Sequence, residues 1–178
     1  MSLNQLGGPQ SLRGGRWAWS ADPYGLGVSI ALTSPTTSTT WPTADLALYC
    51  PIVLDDLMLV KNIIIANGAA VSGNVDVGIY AADGTRLVSS GSTAQAGTNV
   101  SQVFDVTDTQ LGPGLYYLAI ALDNTTGTVF GKTIVAAIGQ LAGMAQQASA
   151  FPLPATATFA SLTALVHPNI GIATKTLV

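Results

Sequence analysis

The chain has 178 residues, of which only 8% are charged: six Lys and Arg against nine Asp, for a net charge of -3. An ordinary soluble domain carries about 25% charged residues, and the only clustered cations here are Arg13 and Arg16, so phosphate-dominated binding to nucleic acid is excluded. Cys50 is the sole cysteine, which excludes an intrachain disulfide, a redox pair and a cysteine-based metal knuckle. No run approaches the ~18 apolar residues of a membrane span, and the start lacks the apolar segment of a signal peptide. The expectation is a single domain, made in a host cytoplasm, that stands on packing alone.

Residues 1–45 differ in texture from the rest: paired glycines, then Trp17 and Trp19, then a stretch at 33–43 with two prolines and six threonines, closing on Trp41. This reads as an extended arm, and because three tryptophans are costly to leave in water, Trp17, Trp19, Tyr24 and Trp41 are expected to dock against a partner. The sandwich domain is expected over residues 46–178.

From residue 46 the pattern becomes short apolar runs bounded by turn residues. Two runs flank Pro51, and the Val/Ile-rich run 57–66 ends at Asn67-Gly68, a pair that suggests strand, tight turn, strand. Val75, Val77 and Ile79 alternate with Asp76, Gly78 and Tyr80, the period of a half-buried strand. Asp83-Gly84 supplies a turn, after which 86–90 can return antiparallel. In 102–106, Val103 and Asp105 face one way, Phe104 and Val106 the other. The strand 115–122 reads as buried on both faces, 123–127 breaks it, and 128–130 and 132–138 follow as strands.

Residues 133–174 contain no Asp, Glu, Lys or Arg at all. Ordinary solvated surface is not built that way, and the tail is expected at a trimer axis. Within it, 139–150 reads as loop and 155–165 as one or two more strands. Eight or nine short strands without a long amphipathic helix predict an all-β fold, an antiparallel β-sandwich of jelly-roll type with an extended N-terminal arm.

Chemistry is sparse. His167 is the only histidine and no nucleophile-and-base pattern surrounds it, so neither an enzyme nor a cofactor is expected. The Asp residues sit beside predicted turns, where side-chain capping explains them. The competing reading gives Asp105, Thr107 and Asp108, or Asp123 and Asn124, to a calcium ion or a glycan at a sandwich edge. Asp55-Asp56, ahead of the most apolar strand, fits a gatekeeper against edge aggregation.

The segments Val75-Asp-Val-Gly-Ile-Tyr80, Asp83-Gly-Thr-Arg-Leu-Val88, Val103-Phe-Asp-Val-Thr107 and Leu111-Gly-Pro-Gly-Leu-Tyr-Tyr-Leu-Ala119 together resemble small β-sandwich proteins of tailed-phage particles. The resemblance covers residues 46–138 and implies a virion structural protein: a trimeric head decoration (cement) protein bound to the major capsid protein, or a tail-fibre module that attaches to a host glycan. Charge poverty agrees with burial in symmetric contacts, and an aromatic-tipped arm agrees with docking between neighbouring subunits.

Overall fold

The computed structural model describes residues 17–19 and 37–174. The chain is nearly all β, with several antiparallel sheets packed together as a sandwich. In chain order the strands are β1 (Trp17–Trp19), β2 (Thr37–Thr40), β3 (Ala47–Leu54), β4 (Met58–Ala66), β5 (Asn74–Ala81), β6 (Arg86–Ser89), β7 (Thr93–Ala94), β8 (Ser101–Leu111), β9 (Gly114–Leu122) and β10 (Thr128–Thr133). A short helix, α1 (Ala136–Leu141), separates them from β11 (Ala145–Gln147), β12 (Ala160–Ser161), β13 (Val166–Pro168) and β14 (Ile170–Ala173).

One sheet runs in the order β12-β11-β3-β9-β5-β6, with β7 also paired to β5. A second runs β1-β14-β4-β8, and a smaller third runs β13-β10-β2. The period-two rule decides which side chains meet. Leu48, Cys50, Ile52 and Leu54 of β3 join Leu118, Ile120 and Leu122 of β9 in the core, facing Val60, Ile63 and Ile65 of β4 and Phe104 and Val106 of β8. The inward parity of β4 changes from Val60 to Ile63 because a bulge interrupts its pairing with β8 between Val60 and Asn62.

The opposite face of the larger sheet is also dry. Ala47, Tyr49, Tyr80, Ala119 and Ala121 lie beneath Ala150, Leu153 and Ala157, forming a second cluster. Residues 118–122 of β9 are therefore buried on both faces, whereas 115–117, expected to be equally buried, are exposed or half-buried at the start of the strand. The covering segment belongs to the uncharged stretch 133–174, which contributes β14 to one sheet, β13 to another, β11 to the third, and this cover. Part of the stretch, above all residues 166–173, is buried within its own chain, while Val135, Leu141, Phe159 and Leu165 are exposed.

Several local expectations are corrected. Residues 139–150 are not a loop: the helix α1 enters this span and β11 follows it, with Gly139 packed so closely that a Cβ there would lie 2.4 Å from Leu162 Cδ2. The strand expected over 132–138 ends at Thr133. Asn67-Gly68 is not a hairpin turn, since β4 pairs with β8 and β14 while β5 belongs to the other sheet. It is the crossover between sheets, and Gly68 is required there because a Cβ would lie 2.3 Å from Ser38 Oγ. Finally, the sandwich reaches ahead of residue 46: β2 pairs with β10, and Trp41 is only 1% exposed.

Candidate functional site

The strands give the sandwich two ends of different character. At one end meet the crossover 67–73, the segment around β7, and the connection 123–127. The amide of Asn67, fully buried, donates to Ala96 O at 2.6 Å and to Gln102 Oε1 at 2.9 Å, while its own oxygen accepts from Gln95 Nε2 at 3.1 Å. Gln95 also donates to Thr128 O and accepts from the Ser72 amide. The loops 91–98 and 123–127, the second of which carries the Asp123 and Asn124 considered for a glycan or calcium, do converge here, but over a set of satisfied hydrogen bonds.

Asp123 and Asn124 hold that end together. Asp123 accepts from the Asn74 amide at 2.9 Å, from Asn74 Nδ2 at 2.8 Å and from Asn124 Nδ2 at 2.6 Å. Partial burial works to raise its carboxyl, but these donors outweigh burial and hold it below the ordinary carboxylate range. Asn124 Oδ1 accepts from the amides of Thr126 and Gly127, which makes it a turn cap. The oxygens that a cation would need already serve the fold.

Asp105 and Asp108 lie elsewhere, on β8 in the other sheet. Asp105 and Thr107 point to solvent, whereas Asp108 Oδ2 stands 2.8 Å from Lys61 Nζ. The structure does not bring these residues to Asp123 and Asn124. Among the described residues no three His, Cys or acidic side chains stand together as a metal set.

The aromatic expectations divide. Trp41 is not an arm contact for a partner; its ring fills the core and its Nε1 donates to Leu46 O at 2.9 Å. Tyr24 lies outside the described residues. Trp17 and Trp19 begin and end β1, whose backbone pairs with β14 in the register Trp17↔Ala173 and Trp19↔Gly171. Tyr116 packs toward the core and Tyr117 toward the cover, where its ring lies 4.6 Å from that of Phe159.

The other end is apolar. There β3 turns into β4 and β8 into β9, with Val53 directly opposite Leu115 and Met58 opposite Leu111. Val53 is 67% exposed, Leu57 52%, Leu59 43% and Leu115 42%. Sequence reasoning missed this group because it weighed charges and rings; the signal was the apolar residues flanking Asp55-Asp56.

A buried carboxylate was also missed as special. Asp76 is fully buried beneath the cover, with Oδ2 accepting from the Leu153 amide at 2.9 Å and Oδ1 from Ser90 Oγ at 3.3 Å. Burial raises its carboxyl above the ordinary range in spite of these bonds and of nearby Arg86. The Arg86 guanidinium donates to Leu153 O, and Tyr80 Oη donates to Pro154 O at 2.6 Å. These groups fasten the cover and are not open to a substrate. Comparison with protein-family models, curated proteins and solved structures returns no match.

Proposed function

We propose that this protein is a non-enzymatic structural component of a tailed-phage particle, a head decoration protein that binds coat subunits at their junctions as a trimer. The observation that carries this reading is the apolar end: Val53, Leu57, Leu59 and Leu115 stand exposed where β3 turns into β4 and β8 into β9, while the loops of the opposite end are joined to one another by hydrogen bonds. Scattered apolar residues are normal on a surface, but a group at one end beside an acidic pair has the make-up of an interface. The resemblance of residues 46–138 to phage β-sandwich modules points the same way. A tail-fibre module attaching to a glycan is the second reading, favoured by the convergence of the 91–98 and 123–127 loops at the polar end.

Antibody labelling of particles from the source separates them. Regular label over heads supports decoration, label confined to tails supports attachment, and no label on particles overturns both.

A further inference from the structure

Apart from β1, each described sheet edge carries a device against strand addition. Strand β8 presents Asp105 and Asp108, β6 carries Arg86, β13 ends in Pro168, β12 has two residues, and β2 is four Thr and Ser residues. Strand β14 is different. Its sequence is Ile-Gly-Ile-Ala, without charge or proline, and β1 lies along the edge that would otherwise be open. An unblunted edge of this kind accepts strands by backbone pairing.

The strand that fills it is weakly tied to its own sandwich. It has three residues, and residues 20–36 separate it from β2, which belongs to another sheet. Those residues could span up to ~55 Å at full extension, far more than a connection between neighbouring strands needs. Three residues make few backbone bonds to the edge, so a second copy held nearby in an assembly competes with the chain's own strand. Exchange keeps every hydrogen bond, because the same strand meets the same edge in the same register.

We propose that the edge of β14 is a strand-acceptor site, filled in the assembled protein by Trp17–Trp19 of a neighbouring copy. The proposal rests on the reading of the protein as a homo-oligomeric assembly component. It gives the aromatic arm a role that a strand folded back on its own sheet would not have: it links copies.

The test uses the full chain with the photo-reactive residue p-benzoylphenylalanine in place of Trp19, which faces Gly171, and separately in place of Trp17, which faces Ala173. Equal amounts of nitrogen-14 and nitrogen-15 protein are mixed unfolded, refolded together, sized by sedimentation and irradiated. Exchange predicts that about half of the arm-to-β14 adducts in the oligomeric fraction join unlike isotopes, as random mixing of copies requires. Adducts only between like isotopes, in protein that sediments as an oligomer, would overturn exchange and leave the assembly reading standing. Protein that sediments as a monomer at every concentration, with like-isotope adducts, overturns both. Absence of β14 adducts from either position overturns the acceptor site itself.

Discussion

At the scale of single residues, the decisive position is Asp76. Its folded-state carboxyl sits above the ordinary value, so the folded protein binds this proton more tightly than the unfolded chain. The contribution of Asp76 to stability therefore rises as pH falls from neutrality through the raised value, and it levels off below the unfolded value of about 3.9. Asp76→Asn removes this contribution: the urea midpoint of the parent should rise relative to that of the variant as pH falls from 7 to 4. A parent-to-variant difference that stays constant or moves the other way would show that Asp76 does not titrate in this way. Asp123 has the opposite sign, its carboxyl being held down, so its contribution is present at neutral pH and is lost as pH falls through its lowered value. Asp123→Ala leaves Asn74 without its acceptor, and a loss of about 1 kcal/mol in chemical unfolding at pH 7 is the expected outcome.

Trp41 shows what a sequence can and cannot say about one residue. Its cost in water was legible, but where it would find burial was not: the Thr- and Pro-rich stretch around it looked like an arm, whereas pairing of Thr37–Thr40 with β10 draws the ring into the core. Trp41→Ala should cost about 3 to 5 kcal/mol. Cys50, equally deep, has its thiol pushed up to about 12 by burial and is chemically quiet.

At the scale of elements, period-two alternation identified the two faces of β8 and the strand β5, although β5 is not half-buried as its alternation suggests, since the cover also buries Asp76 and Tyr80; the unbroken run of β9 is doubly buried only over 118–122. These signals are local, and each is carried by the residues that obey it. Pairing is not local. Nothing in Asn67-Gly68 says whether the chain returns beside β4 or crosses to the other sheet, because both need a compact turn and only the partners of β5, far along the chain, decide. The candidate site was legible to the same degree. The capping role of Asp123 and Asn124 follows from their turn, but the fastening of the cover by Asp76, Arg86 and Tyr80 joins residues more than sixty positions apart.

The cover yields a prediction at this scale. Tyr80→Phe removes the donor to Pro154 O, at a cost of about 1 kcal/mol. Hydrogen exchange should quicken in residues 150–157 and remain unchanged in β4 and β8, because the cover lies on the far side of the larger sheet. Uniform quickening would mean that cover and sandwich open as one unit.

At the scale of the whole molecule, the low charge content has an internal explanation only in part: the uncharged stretch covers one sheet and completes the others, yet it also leaves Val135, Leu141 and Leu165 exposed. The docking reading bears on the apolar end and the arm. Val53→Asp combined with Leu115→Lys should change stability by only about 0.5 kcal/mol per site, since both side chains are exposed and the introduced charges, directly opposite, are of unlike sign. The same pair should weaken binding to coat particles by about tenfold or more if that end is the docking surface. Trp17→Ala with Trp19→Ala should likewise release the protein from particles while its melting transition persists; undiminished binding would count against the arm.

The place of β14 in the sheet has a consequence for timing. It lies between β1 and β4, yet it is the last described strand to leave the ribosome, whereas β1 is the first. During synthesis the arm strand therefore emerges before the edge it pairs with exists, and some 150 residues must follow it before that edge is available. Closure of the second sheet therefore waits for β14 to emerge, and at that moment strands of its own and of other chains can reach the new edge together.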